Sequence, residues 1–165
     1  MVVKDLRGNV DTRVRKLDEG QYDALILASA GLIRLGLKNR ISAALEPVEM
    51  LPAVGQGAIA IETRADDEVS VGATAKLNHR ETELACRAER AFLRGLGGGC
   101  QFPIAAHATI VDGLLSLDGL VAKPSGEKIL RDRLAGEPDQ ADLIGAQLAQ
   151  RLLDHGASSL LNEHV

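Results

Sequence analysis

Two regimes of hydrophobic patterning divide the chain. In the first, Tyr22–Ser29 (YDALILAS) is a continuous apolar run, the pattern of a strand buried on both faces of a parallel sheet. Met1–Lys4 reads as a shorter strand. The spacing between them predicts a helix over about 12–19, capped by Thr12 and closed by Gly20. A short helix around 30–35 stops at Gly36, residues 41–50 read as a loop or short helix, and 58–62 reads as a further strand. Strand and helix alternate, which argues for an α/β segment. A helix from about Asp66 to Leu77 follows.

The second regime begins near position 80. Asn78 with Glu81 three residues later has the form of a capping box. The helix it opens, over 80–94, carries Leu84, Ala88, Ala91 and Phe92 at helical spacing, with Cys86 off that stripe. Three short alternating runs come next, at 102–111, 114–122 and 127–134. Asp112-Gly113 and Pro124-Ser125-Gly126 are the turns between them. Glu137-Pro138 starts a last helix with Ile144, Leu148 and Leu152 on its buried stripe and Gly156 at its end. These elements predict a small α+β domain, a three-stranded antiparallel sheet covered by the two helices.

Composition narrows the function classes. Only 2% of the 165 residues are aromatic while 45% are hydrophobic, so the core is built from Leu, Ile, Val and Ala, and base-stacking platforms are not expected. A net charge of −4 argues against general binding to nucleic acid or membrane surfaces, and leaves basic sites to be sought locally. The two cysteines, Cys86 and Cys100, form no CxxC pair or zinc spacing. His79 and Glu83 lie four apart without further ligands, so no metal site is expected. The cysteine usage, the lack of a long apolar run and the start Met-Val-Val-Lys-Asp fit a cytoplasmic protein without a signal peptide.

Three features carry candidate chemistry. In Leu96-Gly97-Gly98-Gly99-Cys100-Gln101-Phe102-Pro103 a thiol follows three glycines, which suits either an accessible nucleophile or a small buried side chain after a turn. Arg7, Arg13 and Arg34 fall at strand and helix ends, where open α/β sheets collect anionic ligands, although surface arginines are often only solvated. Gly55-Gln56-Gly57 lacks the third glycine of a dinucleotide fingerprint. It offers instead a loop whose N–H groups can approach an anion.

The strings RGNVDTRVRKL (7–17), YDALILASAGLIRLGL (22–37), LPAVGQGAIAIETR (51–64), AER (88–90) and GGGCQFPIAAHA (97–108), in this order, resemble the hydroxymethylbilane synthase (porphobilinogen deaminase) family. The resemblance covers almost the whole chain. It implies a transferase of heme and porphyrin biosynthesis that joins four porphobilinogen units, with loss of ammonia, into a linear tetrapyrrole. It implies a dipyrromethane cofactor thioether-linked to Cys100, carboxylate-binding roles for Arg7, Arg13 and Arg34, and cofactor contact at Gln56 and Gly57. A thiolate is a suitable nucleophile for such a linkage, and arginine's fork suits the acetate and propionate of each pyrrole.

The same resemblance implies an incomplete doubly wound α/β segment: residues 1–51 as part of a second domain, 52–79 returning to a first domain, and 80–165 as a carboxy-terminal cofactor-attachment domain. No acidic residue here matches the family's catalytic aspartate, so the isolated chain is expected to be inactive. The apolar strands 22–29 and 58–62 are expected to lack neighbours and to favour self-association, a rearranged pairing within the chain, or a separate amino-terminal partner. A non-catalytic carrier or anion-binding module is the alternative reading. Thiol redox chemistry has no resolving cysteine at a motif spacing to support it.

Overall fold

Leu84, Ala88, Ala91 and Phe92 are all buried on helix α4 (Arg80–Gly95), at the spacing the sequence predicts. The computed structural model describes residues 2–98 and 103–162, which fall into two units, Met1–Leu45 and Glu46–Val165. In the second unit α4 packs beside α5 (Ala141–Asp154), whose Ile144, Leu148 and Leu152 are buried as predicted. Both helices cover one face of an antiparallel sheet ordered β1 (Ile104–Val111), β2 (Leu114–Ala122), β3 (Ile129–Gly136). Asp112 and Gly113 take φ of 52° and 80°, as a tight two-residue hairpin demands. The register then sets Leu115, Leu117 and Val121 of β2 into the core.

Two glycines set how tightly these layers close. A Cβ on Gly145 of α5 would collide with the Ala88 carbonyl and lie 2.7 Å from the Ala91 Cβ. A Cβ on Gly119 of β2 would lie 2.6 Å from the tip of the Phe92 ring. Bare backbone at both points lets α4 sit against its neighbour helix and push its aromatic ring onto the sheet.

Local details differ from expectation. The cap of α4 is His79, whose ring nitrogen accepts the Thr82 N–H, while Asn78 donates to Glu83 at 2.7 Å instead of forming a box with Glu81. Helix α3 (Glu68–Ala75) is capped by Asp67. A short 3-10 turn, Pro138–Gln140, precedes α5, and α6 (Ala157–Asn162) adds Ala157, Leu160 and Leu161 to the core. That last helix is too short for a periodic signal.

In the first unit, α1 (Val10–Asp18) begins two residues earlier than predicted. Asn9, not Thr12, is the cap, and its side chain accepts the Thr12 N–H at 2.9 Å. Helix α2 (Ser29–Arg34) ends before Gly36, at φ 74°. The expected strands at 1–4, 22–29 and 58–62 are not formed: among the described residues the one sheet is β1–β2–β3. A strand exists only through a neighbour's hydrogen bonds, and these segments do not pair with one another. Ile26, Ile59 and Ile61 are correspondingly exposed, at 67%, 89% and 55%. The three-stranded antiparallel sheet with its covering helices stands as expected; the doubly wound order is not seen.

On the sheet face away from the helices, Asp118 of β2 lies between His107 of β1 and Arg133 of β3. Arg131 grips its carboxylate with two N–H groups at 2.9 Å each, and Arg133 adds a third at 2.8 Å. Burial pushes the Asp118 carboxyl up, but the hydrogen bonds from Arg131 and Arg133 outweigh it and hold the group below the ordinary aspartate value. A lowered native pKa contributes stability that is present above the unfolded value and is lost as pH falls toward the native one.

Two outcomes follow for stability. Gly145→Ala is expected to lower the unfolding free energy by about 1–3 kcal/mol, read as a reduced urea midpoint; an unchanged midpoint would mean the helices separate at no cost. Asp118→Asn is expected to flatten the loss of stability that wild type shows below about pH 4, measured by urea titrations at stepped pH. Parallel acid profiles for the two proteins would remove the carboxylate from that role.

Candidate functional site

The first unit carries two arginines at one helix start and a third on the neighbouring helix. Gly8 takes φ 126°, turning the chain so that its carbonyl accepts the Arg13 Nε–H at 2.8 Å. Arg7 and Arg13 thereby flank the amino-terminal turn of α1. Arg34 closes α2, and α2 rests on that same turn: a Cβ on Gly31 would lie 3.3 Å from Val10. Among the described residues none of the three meets a carboxylate, although Arg15 pairs with Glu19 and Arg40 with Asp18 in the same unit. Their positive charge is left for something else.

In the second unit the 53–58 loop is two successive turns. Gln56 N–H bonds to the Ala53 carbonyl at 2.9 Å and Ala58 N–H to that of Gly55 at 3.2 Å. Gly55 and Gly57 both adopt positive φ, 74° and 90°, which explains both glycines of the triplet. The loop is a poorer anion cradle than its sequence suggests. Within 55–58 three N–H groups are engaged, the Gly55 N–H by the Glu89 carboxylate at 2.7 Å, and Gly57 N–H has no partner among the described residues. The Gln56 side chain is exposed.

Glu89 is the buried charge beside this loop that sequence reasoning missed. It is 6% exposed, and its second oxygen accepts the Ala108 N–H of β1 at 2.9 Å. Burial raises its pKa, opposed by the hydrogen bonds from Gly55 and Ala108. The signal was available: Glu89 follows Ala88 and precedes Phe92 by three, so it stands on the apolar stripe of α4, where a charge needs a dedicated partner.

Two of the glycines before Cys100, Gly97 and Gly98, have structural reasons of their own. Gly97, at φ 65°, donates to the Arg94 carbonyl, and Gly98 donates to that of Leu93 at 3.2 Å. This is a Schellman ending for α4. A Cβ on Gly98 would collide with Ile104 of β1, so the chain must cross there bare. Cys100 itself lies outside the described residues. Cys86 is half-buried; burial and then the charge of Glu89 raise its thiol pKa, with Arg90 opposing. Among the described residues no cluster suits a metal ion, and no helix is long and apolar enough to cross a membrane.

Residues 1–71 match the family model described as Porphobilinogen deaminase, dipyromethane cofactor binding domain. Residues 83–154 match the one described as Porphobilinogen deaminase, C-terminal domain. The chain is 50% identical over 161 residues to the porphobilinogen deaminase of Syntrophobacter fumaroxidans, and 51% identical over 161 residues to that of Chromobacterium violaceum. Each alignment takes in 98% of this chain and 52% of the relative. The chain thus spans about half the length of the curated relatives it matches.

The thiol environment yields a direct check. In a Cys100→Ser variant, Cys86 is expected to react with iodoacetamide more slowly than free cysteine at pH 8, because only the thiolate attacks. Peptide mass spectrometry reads the rate, and parity with free cysteine would contradict the raised pKa.

Proposed function

Because the chain belongs to the porphobilinogen deaminase family, we propose that it supplies the cofactor-anchoring and carboxylate-binding half of a hydroxymethylbilane synthase. The observation that carries this is the set of first-unit arginines without acidic partners among the described residues, Arg7, Arg13 and Arg34, two of them around one turn of α1 and the third on the helix resting on it. The family's cofactor is dipyrromethane, and its carboxylates fit these side chains: a guanidinium left unpaired in the folded chain pays no cost of breaking an ion pair when it takes an acetate or propionate.

In this reading Cys100 provides the thiolate sulfur of the thioether, and Arg7, Arg13 and Arg34 hold carboxylates. Gln56 and the Gly57 N–H meet the pyrrole unit nearest the anchor. When bound, the dipyrromethane supplies the pyrrole end that is extended with porphobilinogen. The chain's own carboxylates include no match to the family's catalytic aspartate, so this half binds and orients without completing the reaction. The exposed Ile26, Ile59 and Ile61 suit packing against further parts of the family's fold or self-association.

The test is intact-mass and peptide mass spectrometry after incubation with porphobilinogen, with and without a separately expressed amino-terminal half from a relative. The chain alone is expected to release no tetrapyrrole. The mixture is expected to gain a two-pyrrole adduct on Cys100 that a Cys100→Ser variant lacks. Tetrapyrrole release by the chain alone, or an adduct mapping to Cys86, would overturn the proposal.

A further inference from the structure

A carboxylate that is 6% exposed and, among the described residues, has no cation bonded to it is costly to keep. Glu89 could be replaced by an apolar side chain at little loss to the packing of α4 if packing were its only task. Its two oxygens instead serve two backbone N–H groups from separate parts of the chain, Gly55 at 2.7 Å and Ala108 at 2.9 Å. Ala108 lies on β1, an edge strand of the sheet. Two residues before it, Ala106 N–H bonds to the Pro52 carbonyl at 3.1 Å. The 52–55 segment is therefore pinned to β1 at two points, directly through Pro52 and through the Glu89 carboxylate at Gly55.

The residues immediately beyond the second pin are Gln56 and Gly57. We infer that Glu89 is a positioning residue, clamping the 52–55 segment between α4 and β1 so that the Gln56 side chain and the Gly57 N–H are presented at a fixed place. The role of those two residues rests on the cofactor-binding reading above; the clamp itself is a property of the free chain. A carboxylate is the only side chain of this length with an acceptor at each end of its fork. Glutamine keeps one acceptor and turns an NH2 toward a backbone N–H, so one of the two donors is left unpaired.

The experiment is amide hydrogen exchange by NMR on the full chain, without ligand, comparing wild type with Glu89→Gln. Exchange at Gly55, Ala108 or both is expected to rise about tenfold or more relative to Leu117 and Leu148 in the core, the change a lost buried hydrogen bond brings. Unchanged ratios would overturn the clamp, as would an equal rise at all four amides, which marks a merely structural residue. Should the variant not fold, wild type alone gives the answer. The Gly55 and Ala108 amide shifts are expected to titrate with one shared midpoint, above the ordinary glutamate range. Cys86 and Arg90 on α4 and His107 on β1 are the other charged or titratable groups interacting with this carboxylate. Shifts that follow His107, or that do not move together, would overturn the inference. These readings involve no pyrrole, so they answer independently of the adduct mass that tests the cofactor-binding reading.

Discussion

The approach of α4 to α5 at Gly145 is the contact on which the second unit depends. With no Cβ there, the helix backbones meet at the Ala88 carbonyl. The same residue of α4 leads directly into Glu89, and the next turn carries Phe92 into the space left by Gly119. One missing methyl therefore helps set the depth of the core and the height at which α4 offers its carboxylate to β1. Dispersion and burial supply the energy of such a core, but the small residues decide the distances at which it is gained.

The charges are distributed by a related economy. A chain with net charge −4 uses many of its arginines internally: Arg131 and Arg133 on Asp118, Arg87 and Arg94 on Asp142, Arg80 on Glu83. Arg7, Arg13 and Arg34 stand out only once those pairs are known. Net charge carries no trace of them, and neither does arginine content. Among the described residues of the first unit, the absence of a carboxylate neighbour sets these three apart from Arg15 and Arg40.

The parts of the fold that depend on short-range rules were legible in the sequence. The stripe of α4, the Asp112-Gly113 turn and Pro138 at the start of the 3-10 turn that leads into α5 all have local causes, and all appear. The strands at 22–29 and 58–62 failed because a strand is a relation between segments, and an apolar run states only what a residue would bury if a partner came. The caps at Asn9 and His79 were misread because several capping residues stand close together and tertiary contacts choose among them. For the candidate site, glycine spacing pointed to the 55–57 loop, but its occupancy by Glu89 is a contact across 34 residues of sequence, beyond any local pattern.

The way β1 ends the sheet has a consequence for assembly. A fourth strand would answer the outward N–H groups of Ala106 and Ala108 with its own carbonyls and then expose a fresh row of donors and acceptors on its far side. Here a single carbonyl and a carboxylate answer them, and a carboxylate offers no N–H to a newcomer. The ladder is terminated instead of extended. An incoming chain at this edge would have to displace an anion already satisfied at both oxygens, which makes β1 a poor template for edge-to-edge polymerisation.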